Sequence, residues 1–491
     1  MWSPFHGYTY AGVTRIARRS PGTFLRRLGV VAVAALVVAA LQLAPDPSPA
    51  QATASGQALG AEARTFFAVA DSHVRSDEPT TNFGRSSEMI IEGRPSSRAF
   101  FRFYPRGAGS LVQARLRMFV KRKPGKLFIH RTDGKVWSER KITFRNAPRP
   151  GPPAGFPEAV RTGWLELDVT ALVRLNQRVT IVLTRSSPQK LAIATRESGA
   201  RAPRLVIETE RPGVPAIAAA GDVACNPEEP HFNRGLGTPR HCRMQATSEV
   251  LRSLKPDAIL GLGDNVNGPG TLDAFMGAYD PAWGKLKHLI RPIPGDEEYR
   301  VPGAAGYFQY FGSAAGDPLK GYYSFDIGSW HLVALNSNCR QIGGCRADDP
   351  QAEWLRADLA ASRARCTLAY THHPRFSSAS DSDFPRIDSV WRLLADNGVE
   401  LVLSGNHHFY ERLAPLNADG ALDEQRGLRQ FVVGTGGHSS SKTGSPRQTS
   451  VARNGDTFGV LRVSLHADGY DWRFIPEVGQ SFSDRGTASC H

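Results

Sequence analysis

At 491 residues the chain is too long for one ordinary core, so roughly two or three domains are expected. Its 41% hydrophobic and 22% charged residues exclude a fibrous or intrinsically disordered protein and describe a soluble globular one. The net charge of +14 is uneven: residues 62–212 hold 28 Lys and Arg against 14 Asp and Glu, whereas residues 213–491 hold 27 against 31.

Residues 1–52 read as an export signal. Arg15, Arg18, Arg19, Arg26 and Arg27 precede an uncharged apolar run from Leu28 to Ala44, and small residues follow at Ala50-Gln51-Ala52. The 17-residue run falls just short of the roughly 20 residues that span a bilayer, which leaves an uncleaved anchor as the alternative. Either way the remainder is expected outside the cytoplasm, secreted or at the cell surface. Six cysteines agree: Cys225, Cys242, Cys339, Cys345, Cys366 and Cys490 show no CxxC spacing, and an even number in an oxidising compartment favours disulfides. Many pairings are open. Cys225–Cys242 and Cys339–Cys345 would close short loops, and Cys366–Cys490 would tie down the tail. A basic region outside the cell invites polyanions such as wall glycans, anionic lipid or shed nucleic acid, although an Arg-rich surface also serves solubility alone. Nothing predicts specific nucleic-acid recognition.

From Phe66 to Glu208 short stretches alternate polar and apolar residues between Gly, Pro and Ser. Ala99–Tyr104, Ala114–Val120, Lys126–His130, Trp164–Asp168 and Val179–Thr184 are predicted strands. Period two without a long amphipathic helix predicts an antiparallel sandwich over 62–210. The motifs Ala70-Asp-Ser-His-Val-Arg75, Val136-Trp-Ser-Glu139 and Ala194-Thr-Arg-Glu197 make it resemble the secreted DNRLRE jelly-roll modules. That resemblance implies a non-catalytic accessory domain related to carbohydrate-binding modules.

Glu210-Arg-Pro-Gly-Val-Pro215 is a predicted linker, since two prolines flank a glycine where the strand pattern stops. After it, predicted helices Met244–Lys255, Gln351–Arg363 and Ile387–Asn397 precede predicted strands Ala258–Leu262, Thr367–Tyr370 and Glu400–Leu403. Such alternation means an α/β layered domain over 214–491 whose strand-end loops carry the chemistry. Further strands at 429–434 and 458–474 suggest two sheets.

Five polar motifs follow strand-like runs: Gly221-Asp222, Gly263-Asp264-Asn265, Gly295-Asp296-Glu297-Glu298, His372-His373-Pro374 and Gly405-Asn406-His407-His408. Each alone reads as a turn. Together they supply carboxylates and imidazoles at sheet edges, as a site for one or two divalent ions requires. With Leu262-Gly-Asp-Asn265, Thr371-His-His-Pro374 and Phe431-Val-Val-Gly-Thr-Gly-Gly437, the region resembles secreted bacterial calcineurin-like metallophosphoesterases close to the purple acid phosphatases.

The resemblance implies a four-layer αββα domain, a phosphoester substrate and divalent ions drawn from Mn, Mg, Ca, Zn or Fe. It casts Asp222, Asp264, His372 and His408 as metal ligands, and places Asp296 and Asn406 where that family has an asparagine ligand and a histidine. Glu297 stands at the position of the histidine that serves the leaving group, and Asn267 replaces the tyrosine that colours the family's ferric centre. Crowding of Asp296 with Glu297 would raise one of their pKa values and give an acidic optimum. His373 and His407 read as packing or hydrogen-bonding groups, with His407 able to replace Asn406 if the loop shifts, and Arg412 reads as an ion-pair partner. Three readings remain: an exported phosphoester hydrolase, a degenerate relative that binds phosphate-bearing or glycan ligands at the cell surface, or a stress- or wall-associated structural protein with no site.

Overall fold

In the first region, period-two patterning builds two antiparallel sheets facing one another. One runs Glu62–Phe67, Arg204–Glu210, Ser110–Arg122, Leu191–Ala194, Glu88–Ile91, with Gly163–Asp168 also paired to Ser110–Arg122; the other runs Ala70–Arg75, Ser97–Phe103, Val179–Thr184, Phe128–Thr132, Pro150–Gly155. Along Ser110–Arg122 the side chains of Leu116, Met118 and Val120 are buried, while Arg115, Arg117, Phe119 and Lys121 face out. Those apolar groups interlock with Ile129, Ile181, Leu183 and Ile207 between the sheets, each contributing about 1.5–3 kcal/mol by leaving water. This computed structural model describes residues 62–122, 125–132, 135–155, 161–379, 383–441 and 443–491. The proposed leader lies outside them.

The second region has two sheets of its own. Ile290–Ile293, Ala258–Leu262 and Ala216–Ala220 run parallel, then Gly459–Leu465, Gly469–Pro476 and Arg485–Ser489 continue antiparallel. Tyr323–Ile327, Trp330–Ala334, Cys366–Thr371, Leu401–Ser404, Arg429–Val433, Tyr410–Leu413 and Ser450–Asn454 form the other sheet. Ala258–Leu262 is buried throughout, as a parallel strand covered on both faces must be. Helix Met244–Leu254 packs on the first sheet. Pro350–Ala361 and Asp388–Asp396 cover the second through Leu355, Val390, Trp391 and Leu394. The order is helix, sheet, sheet, helix.

On either side of the strand Ile290–Ile293, the stretches 272–289 and 302–311, left unassigned in sequence, fold into short helical turns around Phe275, Tyr279, Tyr307, Tyr310 and Phe311, whose ring centroids lie 4.9–6.5 Å apart. All six cysteines are paired, as Cys225–Cys242, Cys339–Cys345 and Cys366–Cys490.

The predicted linker behaves differently from a tether. Glu210 is buried, accepts a hydrogen bond from Ser464 Oγ at 2.6 Å and pairs with Arg462 at 3.5 Å. Beside it, Arg473 pairs with Glu208 and donates to Gln113 Oε1 at 2.7 Å. Backbone bonds Asp168 N–H to Gln480 O (3.1 Å) and Gly479 N–H to Asp168 O (2.8 Å) close the seam. Apolar side chains of both regions belong to one continuous core. The strand patterns on each side are local and legible; this docking is built from partners hundreds of residues apart.

Candidate metal centre

Strand ends bring the site together. Asp222, two residues beyond Ala216–Ala220, and Asp264, two beyond Ala258–Leu262, hold φ of 57° and 45°, and Asn406, two beyond Leu401–Ser404, holds 65°. Asp and Asn tolerate this left-handed backbone better than most residues, and it turns each chain sharply at the sheet edge. Glycines allow the close approach. A Cβ at Gly263, where φ is 83°, would meet His372 Nδ1 at 2.5 Å, and one at Gly295 would meet Asp264 Oδ1 at 2.0 Å.

Asp222, Asp264 and His372 are buried, and one ligand atom from each lies within 4.8 Å of the other two. His372 Nδ1 is 2.8 Å from the Leu262 carbonyl, so Nδ1–H donates there and Nε2 turns to the carboxylates. From Nε2 it is 3.4 Å to Asp264 Oδ1 and 3.2 Å to Asp296 Oδ1. His408 Nε2 lies 3.2 Å from Asp222 Oδ1, and its Nδ1 lies 2.6 Å from Ser439 Oγ. Asn406 lines an open cavity together with Asp264, Asp296 and His408.

A cation fits this donor set. Asp222 is buried with no hydrogen-bond donor on Oδ2 and with His408 Nε2 beside Oδ1, a costly state for a carboxylate unless a positive charge faces it. Burial opposes a charge on His372 and on His408, yet Asp264, Asp296 and Asp222 outweigh it and raise both above the ordinary imidazole value. The site draws positive charge from whatever can supply it.

The expected crowding of Asp296 against Glu297 does not arise, because the two turn to different partners. The His372 hydrogen bond holds Asp296 well below the usual carboxylate range, and His373 Nε2 is a further neighbour at 3.5 Å. Glu297 Oε2 accepts from Gly268 N–H at 2.8 Å and pairs with Arg300 Nη1 at 2.7 Å. An acidic optimum therefore loses its basis in that pair. The neighbouring Glu298 is structural: its carboxylate accepts backbone N–H bonds from Asp264, Asn265, Val266 and Gly295 at 2.6–3.2 Å, fastening two site loops together.

His407 is buried, 2.8 Å from Ser377 Oγ through Nδ1 and stacked on Phe409. Arg412 is paired with Asp484 at 2.7 Å. His373 stacks on Phe384 with Nδ1 2.8 Å from Ser337 Oγ. Asn267 is buried and donates to the Asp264 carbonyl at 3.3 Å.

Sequence reasoning missed His438 and Glu229. Both line the cavity, with His438 Nε2 3.4 Å from Glu229 Oε2, and the His438 ring stands edge-on to His408 at 5.0 Å. The signal for His438 was available: it ends Gly434-Thr-Gly-Gly-His438 just after the strand Arg429–Val433. Glu229 lies in a loop and carries no such mark.

Comparison with known proteins agrees with this layout. The model of carbohydrate-binding module family 96 matches residues 62–209, and that of calcineurin-like phosphoesterases matches residues 216–410. A protein of Mycobacterium tuberculosis is 29% identical over 185 residues, covering 30% of this chain and 35% of that relative. Acid phosphatase of Aspergillus ficuum is 39% identical over 77 residues, covering 15% of this chain and 12% of the enzyme. The chain thus spans about a third or less of the length of these relatives. Among solved structures, purple acid phosphatase PPD1 from yellow lupin covers 82% of this chain and 74% of its own, at 14% identity and a TM-score of 0.46. Residues 62–209 are a carbohydrate-binding module of family 96, and residues 216–410 a calcineurin-like phosphoesterase domain.

Proposed function

We propose that this protein is an exported, metal-dependent phosphoester hydrolase of the acid-phosphatase kind, with the sandwich as an accessory domain for glycan or polyanion. The observation that carries the reading is the buried Asp222 carboxylate, with no donor on Oδ2, set against Asp264, His372 and His408. Export is supported by three disulfides. Among the described residues no helix is long and apolar enough to cross a membrane.

Asp222, Asp264 and His408 would hold one divalent ion, with His372, Asp296 and Asn406 offering donors to a second. Such ions lower the pKa of bound water and polarise a phosphoryl oxygen. Leu262 O keeps His372 Nε2 directed at the carboxylates. Arg300 offsets the Glu297 charge that an incoming phosphate would otherwise meet. His438, whose Nε2 faces Glu229 Oε2 at 3.4 Å, would take the part of the missing imidazole and donate a proton to the oxygen of the leaving alkoxide. His438→Ala should then lower kcat by about 10²–10⁴-fold on an alkyl phosphate, whose leaving group needs that proton, and far less on nitrophenyl phosphate. Equal losses on both substrates would assign His438 to support of His408 alone.

Hard oxygen donors at Asp296 and Asn406 favour Mn²⁺, Mg²⁺ or Ca²⁺ over Zn²⁺ or Fe at the second position. Without a phenolate at residue 267 the purified protein should be colourless. Metal analysis after dialysis against mixed ions, with a visible spectrum, checks both points; stoichiometric zinc at two sites or a purple band would count against them. The alternative, a degenerate binding protein, draws on Asn267, Glu297 and Asn406. Assaying an aryl phosphate with each ion beside an Asn267→Tyr/Glu297→His/Asn406→His revertant separates the two: turnover only in the revertant favours the binder.

A further inference from the structure

Asp296 Oδ1 stands between two imidazoles, 3.2 Å from Nε2 of His372 and 3.5 Å from Nε2 of His373. One donor atom from each of the three lies within 4.8 Å of the other two. Donors that share one ion at about 2.1 Å each stand roughly 3.0–3.5 Å apart. A charged N–H···O⁻ hydrogen bond closes further, to about 2.7–2.9 Å. The spacing here is that of ligands round a common ion, and the 3.4 Å from His372 Nε2 to Asp264 Oδ1 continues it.

The ring of His373 is held in this direction. Both histidines follow the strand Cys366–Thr371, so one strand end carries two imidazoles. Their rings meet edge to face at 4.9 Å and 81°, which lets adjacent residues turn the same nitrogen toward one carboxylate. Phe384 stacks on His373 with centroids 4.1 Å apart. Ser337 Oγ lies 2.8 Å from Nδ1 and accepts the backbone N–H of His373 at 3.0 Å. A hydrogen bond at one ring nitrogen sets which nitrogen meets a metal, and with Nδ1 engaged that nitrogen is Nε2. Packing accounts for the stack on Phe384 but not for an Nε2 aimed at Asp296.

We propose that His373 is a ligand of the second divalent ion, beside His372 and Asp296, and supplies the imidazole that Asn406 does not. The inference rests on the hydrolase reading for the presence of that ion and deepens it by setting which ion is held. Magnesium and calcium take oxygen donors. Manganese, the transition ion among the three hard candidates, gains more from nitrogen. Two imidazoles at one position therefore select Mn²⁺ over Mg²⁺ and Ca²⁺.

The test strips the full chain with EDTA and dialyses it against graded Mn²⁺ or Mg²⁺, which reads the ions held and their affinities without turnover. The native chain should hold two Mn²⁺. His373→Leu, which keeps an apolar side chain against Phe384, should hold the first and weaken the second by about tenfold or more, with Mg²⁺ affinity falling far less. Ser337→Ala is a milder change that should weaken the second Mn²⁺ in the same direction if His373→Leu misfolds; the thermal midpoint in EDTA reports folding. Two Mn²⁺ held at native affinity by folded His373→Leu, or equal losses of Mn²⁺ and Mg²⁺ affinity in both variants, would overturn the proposal and leave His373 a packing group. A native chain that holds no ion at all would overturn the metal-dependent reading and this inference with it, and the native titration alone tells that case apart.

Discussion

Asp264→Asn is expected to cut phosphoester hydrolysis by on the order of 10³-fold, about 4 kcal/mol of the charge stabilisation that a metal site supplies. The substitution keeps the side-chain shape and tolerates the positive φ of residue 264. It therefore removes a charge from the centre of the donor set without disturbing the loops that Glu298 fastens. A second readout needs no substrate. A divalent ion that binds only the folded protein stabilises it by about 2.7 kcal/mol at a hundred times its dissociation constant. Manganese should raise the thermal midpoint of the native chain and leave the variant nearly unmoved. A variant that hydrolyses aryl phosphate at the native rate would remove Asp264 from the machinery.

Loss of the Cys366–Cys490 bond should be the costliest single covalent change. Its residues lie 124 apart, and the chain-entropy argument assigns such a loop about 5 kcal/mol, against about 2 kcal/mol for Cys339–Cys345 with a separation of 6. Placement adds to the expectation: Cys366 opens the strand that leads to His372, and Cys490 follows the edge strand Arg485–Ser489 of the opposite sheet. Urea unfolding of Cys366→Ala/Cys490→Ala and Cys339→Ala/Cys345→Ala compares them directly. Equal midpoints would show that the long loop stays ordered when unfolded and that the entropy argument fails here.

The fold was legible where patterns are local. Continuous apolar runs such as Ala258–Leu262 mark parallel strands, and alternation along Ser110–Arg122 marks a sandwich strand. Asp222, Asp264, His372 and His408 could be singled out because each follows a strand, and they do lie together where strands of the two sheets end. The aromatic turns of 272–311 escaped because their cohesion comes from rings meeting across several short segments rather than from any period. Glu229 escaped for a similar reason: only the fold brings it to His438. Arg300 carries no mark in the sequence, because its meaning depends on which carboxylate it faces.

The seam between the domains has a geometric consequence. Arg473 with Glu208 and Arg462 with Glu210 are buried ion pairs, so the sandwich and the candidate metal centre are fixed at one separation and orientation. A flexible connection would let the module present every neighbouring unit of a polymer in turn. A fixed one acts as a ruler: a polymer held by the sandwich would present only the unit a set span away to the strand ends that carry Asp222 and Asp264.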